Sequence, residues 1–213
     1  MISSQGQSTS NILIYGAGGH GQVVAEAAAA AGFTVLGFID DQAKPGDTTG
    51  LPLFNVDDPR IAEVPVILGI GDNMARRRLM EDLKASGREI ATVVHPSAYV
   101  AESAVLSEGA FVGANAVVNS SAYVGLGAIV NDGAILEHHC RLGDYAHLAP
   151  GAVTGGEITI GDYALVGLGS RLISGVRIGD HATVGIGAVV LQDVRDNATV
   201  VGVPAKEYVK EEA

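Results

Sequence analysis

Residues 111–136 read FVGANAVVNSSAYVGLGAIVNDGAIL, and an aliphatic residue recurs there at every sixth position. The same register runs from Val94 to Val190, with Thr154 as its one polar member. Its members are Val94, Val100, Leu106, Val112, Val118, Val124, Val130, Leu136, Leu142, Leu148, Thr154, Ile160, Val166, Leu172, Ile178, Val184 and Val190. A period of six belongs neither to an α-helix nor to a simple alternating strand. The repeat therefore decides the fold of this part of the chain.

Two other positions of the hexapeptide are also restricted. The fourth residue after each aliphatic one is usually small. The residue directly after the aliphatic one is often Gly or Asn, as at Gly113, Asn119 and Gly125. We expect this Gly or Asn to turn a corner with positive φ, while the aliphatic and small residues point inward. Triangular coils of 18 residues, with one hexapeptide per face, fit all three patterns. A β-sandwich would not hold one register for so long.

The composition narrows the classes of function. The chain has 213 residues, of which 47% are hydrophobic, with 29 Gly and no Trp, as expected for globular domains built of small repeated units. A net charge of −11 disfavours nucleic acid as a partner. The sequence contains no apolar run of about 18 residues, so it predicts no membrane span. The single cysteine, Cys140, and the lack of a signal-peptide pattern predict a cytoplasmic location.

The N-terminal part of the chain alternates apolar runs with helical segments. In chain order, we predict a strand at 11–15, a helix from about residue 20 until Gly32, a strand at 34–39, a strand within 64–70 and a helix ending near residue 86. Gly16, Gly18 and Gly21 follow the first strand in GxGxxG spacing. This order predicts a small α/β domain of the half-Rossmann βαβαβ type, with a ligand at the carboxyl ends of its strands.

The glycine-rich turn leaves three interpretations open. It could bind NAD, because Asp40 and Asp41 follow the second strand, but a second mononucleotide half is missing before the repeats. It could be a purely structural turn. It could also hold a mononucleotide or a nucleotide sugar, whose phosphates would accept hydrogen bonds from the amides of Gly18, Gly19 and His20.

Three of the six histidines, His138, His139 and His147, lie within three consecutive hexapeptides. His138 and His139 occupy variable positions, where side chains can point outward. Gly156 follows His138 by one coil of 18 residues, so we expect a notch over that imidazole. Solvated surface histidines and a zinc site are the alternatives, although zinc needs three or four ligands and adjacent histidines point in different directions. Cys140, at a small inward position, should fill the core rather than act as a nucleophile.

Several motifs together resemble those of a known family. They are IYGAGGHG at 14–21, DD at 40–41, IGDN at 70–73, HPSA at 95–98, EH at 137–138 and GVPAK at 202–206. From about Asn11 to Lys206, the chain is similar to the bacterial nucleotide-sugar N-acetyltransferases of the bacillosamine and perosamine pathways and to sialic-acid O-acetyltransferases. The resemblance implies a left-handed parallel β-helix, acetyl-CoA as co-substrate, no metal, and a homotrimer with acetyl-CoA between neighbouring subunits.

The resemblance also implies roles by position. His138 would be the general base, in a catalytic group with Glu137 and His139. The acetyl-CoA contacts would be His147, Leu168 and Ile186. The nucleotide-sugar site would comprise Gly18, Gly19, His20, Asp40, Asp41, Gly71 and Asn131. The family often has an acidic residue directly after the base, where this chain has His139. Either Glu137 or a neighbouring subunit then supplies a carboxylate, or the base works without one.

The expected organisation has four segments: a flexible leader at 1–10, a nucleotide-sugar-binding α/β domain at 11–90, a β-helix acetyltransferase domain at 91–193 and a C-terminal extension at 194–213. The implied reaction is acetyl transfer to the amino group of a nucleotide-linked 4-amino-4,6-dideoxy sugar. O-acetylation of a sialic-acid-type sugar and non-catalytic binding of a nucleotide sugar are the alternatives.

Overall fold

The computed structural model describes residues 10–40 and 50–208. Residues 1–9 of the expected leader, Asp41 of the expected nucleotide-sugar site and residues 209–213 of the expected C-terminal extension lie outside these ranges. The N-terminal elements are β1 (Asn11–Tyr15), α1 (Gly19–Ala30), β2 (Thr34–Ile39), β3 (Leu53–Phe54), a 3-10 helix (Pro59–Ile61), β4 (Val66–Leu68) and α2 (Asn73–Ala85).

The N-terminal strands form one parallel sheet in the order β3-β2-β1-β4. The central strand β1 is buried from Ile12 to Tyr15 because both faces of the sheet are covered: Ile12 and Ile14 pack with α1 and the coils, and Leu13 and Tyr15 pack with α2. Helix α2 begins where the side chain of Asp72 accepts a hydrogen bond from the amide of Ala75 at 2.7 Å, a usual N-cap. The predicted small α/β domain with a parallel sheet is confirmed, but among the described residues no α-helix lies between β2 and β4, so the order is β-α-β-β-β-α rather than βαβαβ. The two-residue strand β3 was not predicted, since so short a segment has no periodicity.

The hexapeptides form seventeen two-residue strands, β5 to β21, which begin six residues apart. They are Val93–Val94, Tyr99–Val100, Val105–Leu106, Phe111–Val112, Val117–Val118, Tyr123–Val124, Ile129–Val130, Ile135–Leu136, Arg141–Leu142, His147–Leu148, Val153–Thr154, Thr159–Ile160, Leu165–Val166, Arg171–Leu172, Arg177–Ile178, Thr183–Val184 and Val189–Val190. Each pairs in parallel with the strand one coil away, as Ile129 does with His147. The predicted unbroken β-helix is confirmed.

The coil strands lie in three sheets, which we name by strand number the eight-, six- and five-stranded faces. The eight-stranded face also contains β22 (Thr199–Val201) and β23 (Lys206–Glu207). Thr183 pairs with Thr199, so the step there is 16 residues rather than 18 and the hexapeptide register ends.

The corners of the coils are not turned as the sequence suggested. Positive φ falls on the third residue after the aliphatic one, for example 56° at Asn115, 58° at His139 and 63° at Gly133. A Cβ added to Gly113 would lie 2.8 Å from the backbone nitrogen of Asp132. Gly113 is therefore a glycine because the next coil approaches closely, and the prediction of positive φ directly after the aliphatic residue was wrong.

The interior of the prism is filled by aliphatic and alanine side chains. Cys140 is 1% exposed, and burial raises the pKa of its thiol, which agrees with a role in the core. Thr154 is tolerated inside because its hydroxyl donates to the carbonyl of Ile135 at 3.2 Å and accepts from the amide of Glu137 at 2.9 Å.

The N-terminal sheet and α1 pack against the eight-stranded face. Val93, Phe111 and Ile129 of that face belong to one apolar cluster with residues of β1 and α1. Within the described ranges, neither α1 nor α2 has the length and apolar character needed to cross a bilayer.

Candidate active site

The glycine-rich turn after β1 combines tight packing with open space. Gly16 has φ of 103°, and a Cβ on Gly21 would lie 1.8 Å from the carbonyl oxygen of Gly16, so both positions require glycine. A Cβ on Gly18 or Gly19 would meet nothing within 4 Å. Helix α1 starts after Gly18 without a side-chain cap. The amide of Gln22 donates to the carbonyl of Gly18 at 3.0 Å, whereas the amides of Gly19 and His20 are those that an uncapped helix start offers to an anionic group.

The expected nucleotide-sugar residues within the described ranges converge on the carboxyl edge of the sheet. Asp40, after β2, accepts a hydrogen bond from the amide of Ala17 at 2.9 Å and so holds the strand end against the glycine turn. Gly71 follows β4, and a Cβ there would also meet nothing within 4 Å. The edge therefore offers an open surface between β1, β2 and β4, where ligands of such sheets bind.

His20 faces the coils from the first turn of α1. Its ring contacts that of Phe111 edge to face, with centroids 5.7 Å apart, and lies 6.1 Å from the ring of His147. Its Nε2 is buried without a hydrogen-bond partner. Burial, helped by the charge of Arg76 and opposed by Asp132, lowers the pKa of His20 to about 4. At neutral pH the imidazole is uncharged.

His147 joins the coils to the loop after β4. Its Nε2 lies 3.1 Å from the side-chain Nδ2 of Asn131, and its ring makes a hydrogen bond to the backbone of Gly71. Burial and the charges of Arg76 and His20 lower the pKa of His147 to about 3, although the bond to Gly71 acts in the opposite direction. A neutral ring accepts from Asn131 through Nε2 and donates to the Gly71 carbonyl. Both ring nitrogens are thus in use.

Arg76 was not predicted as a site residue, yet it holds this junction together. It is 1% exposed. Its guanidinium donates, over 2.7–3.1 Å, to the backbone carbonyls of Ile70, Gly71, Gly127 and Tyr145 and to the side-chain oxygen of Asn73. It shares the buried side of α2 with Met80 and Leu83. The spacing 76, 80, 83 was the available signal, because it is the spacing of one helical face.

His138 lies at a corner of the coils, between the strands Ile135–Leu136 and Arg141–Leu142, and its side chain is exposed. The predicted notch is present, because a Cβ on Gly156 would lie 2.3 Å from Cε1 and 2.5 Å from Nε2 of His138. The imidazole of His138 can therefore lie over position 156 only because that residue is glycine. The ring of His139 approaches from the other side, with its Nδ1 3.1 Å from Nδ1 of His138.

Glu137 is turned away from the imidazole of His138. Its Oε2 accepts hydrogen bonds from the backbone amide of His138 at 2.9 Å and from the side-chain amide of Asn119 at 3.1 Å. This carboxylate therefore orders the corner backbone rather than the ring.

The two groups of expected site residues lie on opposite sides of the prism. His20, Asn131 and His147 lie at the eight-stranded face, where the N-terminal sheet packs. His138 lies between the six- and five-stranded faces, and in a triangular prism that corner is opposite the eight-stranded face. Leu168 and Ile186 lie at the corner between the eight- and six-stranded faces, with 49% and 78% of their surface exposed. One chain alone does not bring His138 to the glycine turn.

The alternative of a metal site finds no support in the arrangement of ligands. Among residues 10–40 and 50–208, there is no group of three or more His, Cys, Asp or Glu side chains that could hold a metal ion. The absence of a metal cofactor stays a prediction.

Known proteins share both halves of this architecture. The family model of the PglD N-terminal domain matches residues 11–83. A point mutant of perosamine N-acetyltransferase from Caulobacter crescentus, in complex with CoA and GDP-perosamine, is 35% identical, with a TM-score of 0.89 over 94% of this chain and 98% of that one. The acetyltransferase domain of PglB from Neisseria gonorrhoeae, in complex with acetyl coenzyme A, is 34% identical, with a TM-score of 0.89 over 94% and 100%.

A curated relative has the same type of activity in its name. UDP-N-acetylbacillosamine N-acetyltransferase from Bacillus subtilis is 36% identical over 106 residues, which span 46% of this chain and 49% of that protein. The match therefore covers about half the length of this relative, whereas the perosamine enzyme is matched over nearly its whole length. The chain belongs to the family of acetyl-CoA-dependent nucleotide-sugar N-acetyltransferases.

Proposed function

We propose that the chain transfers the acetyl group of acetyl-CoA to the amino group of a nucleotide-linked 4-amino-4,6-dideoxy sugar. The observation that carries the proposal is the imidazole of His138 seated over Gly156 at an exposed corner, in a chain whose glycine turn leaves the first amides of α1 open. The related structures with CoA and GDP-perosamine, and with acetyl coenzyme A, support both substrate classes.

The proposed reaction is direct transfer. The sugar amine attacks the thioester carbonyl carbon, its surplus proton passes to Nε2 of His138, and the C–S bond breaks to release CoA, which leaves as the thiol after protonation. No acyl-enzyme is needed, and Cys140 is excluded as a nucleophile because it is buried inside the prism. Neutral imidazole is suited to this proton transfer near pH 7, and binding both substrates side by side supplies much of the rate.

The remaining residues bind the two substrates. Gly18, Gly19, His20, Asp40, Asp41 and Gly71 hold the nucleotide sugar, and Asn131 orients it. Leu168 and Ile186 contact acetyl-CoA from their exposed corner. His147, which is engaged with Gly71 and Asn131, would contact the thioester region of acetyl-CoA. Because acetyl-CoA and sugar nucleotides are cytoplasmic metabolites and the chain has one cysteine, we place the reaction in the cytoplasm.

The proposed assembly is a homotrimer with its active sites between subunits. The opposite placement of His138 and the glycine turn supports this, because a complete site then needs His138 of one subunit beside the N-terminal domain of another. Sedimentation should give about three times the chain mass of 21.7 kDa. Co-expression of the inactive variants His138→Ala and Asp40→Ala should restore part of the activity, since mixed trimers contain intact sites. An active monomer, or no restoration, would contradict the composite site.

The activity test measures release of free CoA thiol from acetyl-CoA with a panel of UDP-, GDP- and dTDP-linked 4-amino sugars. Each amino sugar is compared with the same sugar nucleotide that carries a hydroxyl in place of the 4-amino group. We expect turnover with one amino sugar and none with its hydroxyl analogue. Faster acetylation of hydroxyl sugars would support the O-acetyltransferase alternative, and nucleotide-sugar binding without turnover would support the non-catalytic one.

A further inference from the structure

We propose that His139 is the positioning residue of the base: its Nδ1 accepts a hydrogen bond from the Nδ1–H of His138 and thereby leaves the Nε2 lone pair of His138 free for the proton of the substrate. This deepens the proposed function and rests on His138 being the base. It assigns to an imidazole the place that a carboxylate often has in the family.

The geometry of the pair supports a hydrogen bond between the two rings. The Nδ1 atoms are 3.1 Å apart, and the rings are nearly perpendicular, at 82° with centroids 5.4 Å apart. One of the two nitrogens must carry the hydrogen. If His138 is to accept a proton at Nε2, its own hydrogen is at Nδ1, and His139 is then the acceptor.

The other charged groups around this corner are engaged elsewhere or lie one coil away. Glu137 accepts from the amides of His138 and Asn119. The guanidinium of Arg141 lies over the ring of Tyr123, at 4.3 Å. Glu157 occupies the corner position one coil above His139, and its backbone amide donates to the carbonyl of His138 at 2.9 Å. Within the part of the chain that the structure describes, His139 is the side chain hydrogen-bonded to the ring of His138.

The backbone fixes the direction of His139. Its φ of 58° is in the left-handed region, and its amide donates to the carbonyl of Ser120 at 3.0 Å, one coil below. Glycine and asparagine adopt this conformation readily. Asparagine also places its Oδ1 where histidine has Nδ1, so it retains an acceptor without a titratable group.

The chemical consequence is a base whose partner can itself be protonated. A carboxylate would stabilise the imidazolium of His138 by charge, whereas a neutral imidazole offers only a hydrogen bond. A proton accepted at Nε2 of His138 leaves its Nδ1–H donor in place, so the hydrogen bond to His139 persists through the transfer step.

The test uses three variants of the partner, His139→Asn, His139→Asp and His139→Gly. The matched controls are His181→Asn and His181→Gly, because His181 has the same position within its hexapeptide and a φ of 57°. His139→Gly should lower kcat about 10-fold or more, with both KM values nearly unchanged, since the tautomer is no longer fixed. His139→Asn should restore most of kcat, because Oδ1 of asparagine is again an acceptor. His139→Asp should move the acid limb of the pH–rate profile to higher pH, because a carboxylate stabilises the imidazolium of His138. Both control variants should match the wild type.

A second measurement does not depend on turnover. Nitrogen NMR of imidazole-labelled protein at pH 8 should show the hydrogen of His138 at Nδ1 in the wild type and a mixture of tautomers in His139→Gly. Hydrogen at Nε2 in the wild type, or equal kcat for His139→Gly and His181→Gly, would overturn the proposal. Full activity of His138→Ala would instead overturn the proposed function, so the two failures are distinguishable.

Discussion

Two histidine pairs in this protein have opposite surroundings. His20 and His147 lie at the junction of the N-terminal sheet and the coils, and their pKa values are lowered to about 4 and about 3. His138 and His139 lie exposed at a corner on the other side of the prism, and their rings contact each other. Burial and the charge of Arg76 keep the rings of the first pair uncharged. The second pair is exposed at the corner over Gly156 and can exchange protons with a substrate.

Histidine type and spacing therefore do not define a role. Three of these four residues lie within ten positions of one another in the sequence, yet His147 is separated from the other two by the placement of faces. Proton transfer needs access to the substrate, whereas the buried ring of His147 has both nitrogens engaged in hydrogen bonds.

The largest effect should come from His138→Ala. Loss of a general base typically lowers kcat by about 10²- to 10⁴-fold, and we expect that loss with little change in acetyl-CoA affinity or in assembly. His139→Ala should cost less, because it removes the partner and leaves the base. Thiol release and sedimentation would measure both. A near wild-type His138→Ala with a more damaging His139→Ala would exchange the two roles.

Arg76→Met should cause the next largest effect, on stability and nucleotide binding. It leaves the buried carbonyls of Gly127 and Tyr145 without donors and releases the loop at Gly71, so the free energy of unfolding should fall by about 2–4 kcal/mol. Urea unfolding would measure this, and calorimetry would show weaker binding of the nucleoside diphosphate. The matched control is Arg78→Met on the exposed side of α2, which should change stability by less than about 0.5 kcal/mol. Equal effects would show that burial of Arg76 does not matter.

Gly156→Ala should impair catalysis without unfolding the protein. The added Cβ would lie 2.3 Å from Cε1 of His138, so the ring must move, whereas the backbone at Gly156 is not in the positive-φ region. Misplacement by about 1 Å can cost about 10²-fold in rate, and we expect a 10- to 100-fold lower kcat at unchanged melting temperature. The control is a double-mutant cycle with His138→Ala. The glycine change should add nothing there, and an additive loss would mean that it acts elsewhere.

The smallest effect concerns the buried pair and pH. Because the folded-state pKa values of His20 and His147 lie below the ordinary 6.5, the unfolded chain binds more protons between about pH 6.5 and 4. Stability should therefore fall as pH falls through that range, on the order of 1 kcal/mol per histidine at pH 5.5. Urea unfolding of His147→Gln at several pH values should give a smaller slope than the wild type, and His181→Gln the same slope. An unchanged slope for His147→Gln would contradict neutral burial.

The hexapeptide pattern was sufficient to predict the coils, because one inward aliphatic and one inward small residue per six is a local requirement repeated on every face. The order of apolar runs and glycines likewise predicted strands β1, β2 and β4 and both helices of the N-terminal domain, and the combination of motifs indicated the family. The notch was also predictable, since residues 18 apart in a regular coil must stack, and Gly156 lies one coil above His138.

The tertiary structure alone decided what meets across the molecule. The spacing of Arg76, Met80 and Leu83 indicates one helical face, but only the docking of α2 against the coils decides that this face buries an arginine. His147 and the open glycine turn share a face, and His138 lies opposite, because the N-terminal sheet covers one of three nearly equivalent faces. The sequence repeat treats the three faces alike, so it determines the prism but not which side of it carries the second domain.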